Sequence, residues 1–176
     1  MNKSKGYSNR QAMQRKLAKE IHVADIVEVL EYYPDDMTAD VKPMVMAASE
    51  GKTVSRPPIL KVPVAMLGCR EFFIRPWYNP GDVGVIVYLD YDSDNVLGSG
   101  EEAAPTTTGC HTGNDAVFIG GAICGGSRTQ GLPGEAIAIG TEENYMAFGK
   151  DGITVHGKID MEGELTVRGK TVKLAE

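Results

Sequence analysis

In the last quarter of the chain, apolar residues recur as apolar-x-apolar triplets: Ile137-Ala-Ile139, Met146-Ala-Phe148, Ile153-Thr-Val155, Ile159-Asp-Met161, Leu165-Thr-Val167 and Val172-Lys-Leu174. Residues i and i+2 of an extended segment share a face, so each triplet predicts a very short strand with one apolar face. Successive triplets begin 9, 7, 6, 6 and 7 residues apart, and every linker contains a glycine. Each strand therefore has room for only a few residues before the chain turns. A ribbon this thin cannot bury six apolar faces by itself. The pattern predicts several identical ribbons wound round a common axis, with the twelve triplet residues in a shared core.

Upstream, from His22, apolar residues alternate with a period of two, and strands are predicted at 25–31, 41–47, 61–66, 84–90 and 116–120. The spacers carry turn chemistry: Tyr33-Pro34-Asp35-Asp36, Arg56-Pro57-Pro58, Asn79-Pro80-Gly81-Asp82 and Ser93-Asp94-Asn95. Five strands with a long link between the fourth and fifth fit a small closed β-barrel of the OB kind, with a sandwich as the other arrangement. Before them, residues 8–20 read as a basic amphipathic helix, with Met13, Leu17 and Ile21 on one face. Such an arm either docks on an acidic neighbour or stays solvated. Residues 120–134 are too dense in glycine for a packed element. The chain thus divides into an arm (1–21), a barrel (22–125), a linker (126–134) and a shaft (135–176), and its fold class is all-β with a short N-terminal helix.

Charge sharpens this division. The 176 residues carry a net charge of -6, yet residues 1–20 hold six Lys or Arg against one Glu. The other 156 residues carry twelve basic and twenty-three acidic groups, an excess that opposes any broad phosphate-binding surface. Cys69, Cys110 and Cys124 are odd in number and form no CxxC pair, as expected of free thiols in a reducing compartment. The polar, basic N-terminus lacks the apolar core of a secretory signal, and no apolar run is long enough for a membrane helix.

Several constellations resemble chemical sites. Asp90, Asp92, Asp94 and Glu101 stand at the ligand spacing of a twelve-residue calcium loop, although Asn95 occupies its glycine position and a strand-like run precedes it. An acidic surface turn is the favoured reading. Cys110, His111 and Asp115 are the residue types of a nucleophile, base and orienting acid, but sequence neighbours seldom assemble a triad. The segment Gly125-Gly126-Ser127-Arg128 lacks the lysine of a phosphate loop. Phe72, Phe73, Trp77 and Tyr78 have the chemistry of base-stacking platforms, but only Arg70 and Arg75 lie nearby, so packing is the expected role.

The runs 57–64 (PPILKVPV), 80–87 (PGDVGVIV) and then His111 with 115–121 (DAVFIGG), in that order and followed by the triplets, resemble the central spikes of contractile phage baseplates. These membrane-puncturing proteins are related to the spikes of phages P2 and Mu. The resemblance covers about residues 22–125 in motif order, and the triplets match the domain that follows. It implies a homotrimer with three barrels in a collar under the tail tube and three intertwined ribbons, a β-helix or β-prism, forming a needle. It implies no catalytic residue; the acidic charge of the barrel predicts no nucleic-acid partner. The implied partners are tail-tube and baseplate hub proteins and, transiently, the host envelope; the implied place is the virion baseplate, assembled in the host cytoplasm.

Members of that family often end in a His-x-His pair that binds iron at the apex, and this chain has none, which points to a separate tip protein or an apolar tip. His156 is the only histidine of the shaft, and three copies could offer imidazoles to a structural metal ion at the trimer axis. Alternation with Ile153 and Val155 turns it outward instead. The competing readings are a hexapeptide-repeat acyltransferase, disfavoured by the drifting period, a nucleic-acid-binding OB module, and a trimeric receptor-binding fibre or other baseplate protein.

Overall fold

The computed structural model describes residues 13, 21–49, 51–69, 72–110, 112, 115–122, 132–163, 166–168 and 170–171. The protein is all-β, with one short helix among the described residues. It divides into two compact units, Met1–Gly126 and Ser127–Glu176. Of the expected N-terminal helix only Met13 is described; Cys124, Leu165, Val172, Leu174 and His111 also lie outside the described residues.

The first unit is built on strands β1 (Ala24–Tyr33), β2 (Thr38–Pro43), β5 (Ile59–Pro63), β8 (Val83–Tyr88) and β9 (Ala116–Gly121). They form one antiparallel sheet in the order β5-β2-β1-β8-β9. These are the five strands expected from alternation, with shifted ends. The second begins at Thr38, because a turn with Met37 at φ 50° reverses the chain directly after Tyr33, and it stops at Pro43 instead of running to residue 47. The third also ends at a proline, Pro63, whose missing N–H cannot extend a ladder.

Two small hairpins escaped the sequence reading. One pairs β3 (Ala47–Ser49) with β4 (Lys52–Val54), and the other pairs β6 (Leu67–Cys69) with β7 (Phe72–Ile74). Each has only two residues between its strands, a spacing that signals a tight turn. The link from β8 to β9 carries helix α1, Asp94–Ser99, capped by Gly100 in the left-handed conformation.

The sheet is a curled half-barrel. Its curvature has an identifiable origin in three slips of register. Val29 pairs with Val41 but Glu31 with Asp40, so Leu30 is an extra residue in β1. Ala39 pairs with Val62 but Val41 with Ile59, which adds one in β5; Val85 pairs with Gly120 but Ile86 with Phe118, which makes Ile119 extra in β9. Such bulges bend a strand and increase its twist. They also reset which side faces inward: after Leu30, Glu31 stays outside and Tyr32 packs against the core.

The curl brings the two edge strands together. Val64 forms a parallel bridge with Phe118, and the Ala65 N–H donates to the Phe118 carbonyl at 2.8 Å. Inside lie Val27, Val29, Val41, Ile86 and Phe118, all fully buried, with Ala39, Val62, Val64, Tyr88 and Ala116. Tyr78 meets the Phe118 ring edge-on at 4.8 Å and Tyr32 at 5.7 Å, so an aromatic chain lines one side of this core.

The Phe118 ring occupies the space over Gly84, where an added Cβ would come within 2.1 Å of ring carbon Cζ and 2.6 Å of the Gly120 carbonyl oxygen. Gly84→Ala is therefore expected to lower unfolding free energy by about 1–3 kcal/mol in urea titration. The matched control is Gly98→Ala in α1, where nothing lies within 4 Å. It is expected to be neutral or stabilising by up to about 1 kcal/mol.

Candidate functional site

The second unit contains a meander of three antiparallel strands, β10 (Ala136–Gly140), β11 (Tyr145–Gly149) and β12 (Gly152–His156), and a separate two-residue hairpin of β13 (Thr166–Val167) and β14 (Lys170–Thr171). Turn chemistry sets the register of the meander. Between β10 and β11, Thr141 N–H donates to the Asn144 carbonyl at 2.8 Å, and Thr141 Oγ1 accepts from Asn144 N–H at 3.1 Å. Gly140, at φ 140°, sits so close to this turn that a Cβ would lie 2.2 Å from the Asn144 carbonyl oxygen.

That register aligns the first three triplets. Ile139, Met146 and Val155 stand opposite one another across the strands, and so do Ile137, Phe148 and Ile153. Directly paired residues and residues two apart share a face, so these six make a continuous apolar face of two rows. Nothing among the described residues of the unit covers it: all six are exposed, from 39% for Phe148 to 72% for Ile137. Ala147, on the opposite face, is the only buried hydrophobic residue described in this unit. A fully withdrawn side chain of this size contributes about 1.5–3 kcal/mol. Several kcal/mol per chain thus remain unrealised on this face.

The later triplets behave differently. Ile159 and Met161 are exposed and lie in irregular chain rather than the expected strand, and among the described residues no strand pairs with them. Val167 is exposed at the end of β13. His156 lies on the face opposite Val155, stacked on Tyr145 with ring centroids 5.1 Å apart.

Calcium spacing at Asp90, Asp92, Asp94 and Glu101 does not become a calcium cage. Helix α1 fills the middle of the twelve-residue window; Asp94 is its exposed first residue, and Glu101, also exposed, follows it. Asp92 turns inward: Oδ1 accepts the Asp94 N–H at 3.1 Å, while Oδ2 accepts the Thr106 hydroxyl and the Thr107 N–H at 3.0 Å. These donors, the Thr106 hydroxyl foremost, hold the Asp92 carboxyl below its ordinary value. Among the described residues no three His, Cys, Asp or Glu side chains gather in a way that could hold a metal ion. Asp115 is buried and accepts from the Thr112 hydroxyl, and Cys110 is exposed with its sulfur near the Thr108 carbonyl, so neither is arranged with the other as a nucleophile and its helper.

The aromatic candidates separate into two groups. Tyr78 is half-buried on the core and Trp77 lies edge-on to Tyr32, whereas Phe72 and Phe73 stand exposed on the β6–β7 hairpin beside Leu67 and Ile74. Arg56, which lines a pocket with His22 and Tyr88, is engaged by the Asp25 carboxylate and the Tyr88 hydroxyl. Compared with models of known protein families and with curated proteins, the chain matches none.

Asp92 supplies a pH test. Its folded pKa lies below the unfolded value of about 3.9, so its contribution is complete above that value and is lost as pH falls through the lower, folded one. Amide exchange at Asp94 and Thr107 should stay protected down to about pH 4 and lose protection below it. Asp92→Asn, which cannot titrate, is expected to show weak protection at neutral pH and little further change in acid.

Proposed function

We propose that this chain is a structural protein that works as a homotrimer: the central spike at the tip of a contractile phage tail or related injection particle. In this reading the first unit closes the tube as a collar, and the second forms a shaft driven through the host envelope when the sheath contracts. The carrying observation is the uncovered apolar face of Ile137, Ile139, Met146, Phe148, Ile153 and Val155, a surface that three copies would bury against one another. Ile159, Met161 and Val167 would extend the same core, along with Leu165, Val172 and Leu174. Winding such ribbons into a β-prism or intertwined β-helix would also remove the free edges of the meander.

The fold of the first unit supports the same reading. Numbering its five sheet strands in chain order gives 3-2-1-4-5, with the third and fifth strands meeting in parallel at Val64 and Phe118. This is the strand order of an OB barrel, the module expected ahead of the shaft. The work proposed is mechanical, with tube and hub proteins, a separate tip protein and transiently the envelope as partners. An acidic barrel whose groove-side Arg56 is already paired weighs against a single-stranded nucleic acid as the ligand.

Sedimentation equilibrium of the purified chain is expected to give a trimer at micromolar concentration, and a stable monomer would rule the spike out. Val155→Asp would set three carboxylates near one axis, with a penalty of several kcal/mol per buried ion, on the order of what breaks an assembly. The variant is expected to sediment largely as monomer or to lose its thermal transition at much lower temperature. Unchanged trimer stability would mean that a different face is turned inward.

A further inference from the structure

The β8–β9 link and the N-terminal arm are opposites in charge and alike in apolar character. Residues 90–102 contain five acidic residues and no basic one, a net charge of -5; residues 1–20 carry +5. Tyr91, Val96 and Leu97 are exposed on the acidic segment, and Met13 and Ile21 are exposed on the arm's apolar stripe. Neither apolar surface has a cover among the described residues.

Their positions in the fold bring them within reach. The arm joins the barrel at 21–23, where the Val23 carbonyl accepts the Tyr88 N–H at 3.0 Å and the His22 ring lies 5.3 Å from that of Tyr88. The acidic segment begins at Asp90, two residues after Tyr88. The chain just before it is held by the Leu89 N–H donating to the Asp115 carbonyl at 2.7 Å, and the chain just beyond it is tied back by Thr106 and Thr107, which donate to Asp92. The lobe is therefore formed in advance of any ligand, so little ordering opposes docking there. A helix over residues 8–20 would be about 20 Å long, enough to lie across α1, which spans about 9 Å.

We propose that the basic arm, residues 1–20, folds back on its own chain and docks on the acidic, apolar lobe of residues 90–102. Met13, Leu17 and Ile21 would meet Tyr91, Val96 and Leu97, while Arg15, Lys16 and Lys19 face Asp94, Glu101 and Glu102. Direct tethering gives the arm an effective concentration on the order of millimolar, so even a weak contact is populated. Asp92, spent on the turn, is not part of the contact. This inference is independent of the assembly reading and stands or falls without it.

Charge exchange in the full chain tests it by amide hydrogen exchange of residues 8–20. In the unaltered protein these amides should be protected at low salt and exchange several-fold faster at 0.5 M NaCl. Arm reversal (Arg15→Glu, Lys16→Glu, Lys19→Glu) and lobe reversal (Glu101→Lys, Glu102→Lys) should each remove that protection. The two sets combined should restore it, with β1 and β8 amides unchanged throughout as proof of an intact core. An unprotected arm in the unaltered protein, or no restoration in the combined variant, overturns the proposal. So does protection that appears only on chain association, which would place the contact between copies, or only with added phosphatidylserine vesicles, which would assign the arm to a lipid surface.

Discussion

Phe118 stands where the two edges of the curled sheet meet, and most of the first unit is arranged around that meeting. Its ring fills the space that Gly84 leaves open, its carbonyl accepts the Ala65 N–H, and its edge packs with Tyr78, which in turn leads to Tyr32. A flat sheet could not bring β5 and β9 together. The extra residues in β1, β5 and β9 supply the bend, and each releases an apolar neighbour to the outside: Leu30, Leu60 and Ile119 are all exposed. Those exposed residues are a consequence of curvature and mark no binding patch by themselves.

The two units solve the problem of burial differently. The first has a core of its own, drawn from every strand of its sheet. The second has strands, turns and a well-defined register, yet its larger side chains face outward from a three-stranded sheet that is too thin to enclose them. The six apolar residues of that face have no cover among the described residues of their unit.

Charge is also organised by position. In the first unit Asp25 is tied to Arg56 and Asp92 to its three donors. Charge of one sign collects in the arm (+5) and in residues 90–102 of the β8–β9 link (-5), which join the sheet at neighbouring points, while the remaining 143 residues carry a further -6. Spacing alone made the link resemble a calcium loop; the helix in its middle and the inward turn of Asp92 give the same residues a structural use.

Alternation by itself located the five sheet strands and the apolar side of the first three triplets, because side-chain direction in an extended chain is a local property of period two. It also placed His156 opposite Val155 for the same reason. The hairpins β3–β4 and β6–β7, the shifted ends of β2 and β5, and the irregular path of Ile159–Met161 were not legible in that way. Each depends on a partner strand or a single turn residue, such as Met37 at positive φ, that a periodic pattern does not encode. The three register slips, the notch at Gly84 and the meeting of Val64 with Phe118 were decided only by tertiary structure. They join residues far apart in the chain, and no local pattern records which distant backbone will accept a hydrogen bond or which glycine will face a ring.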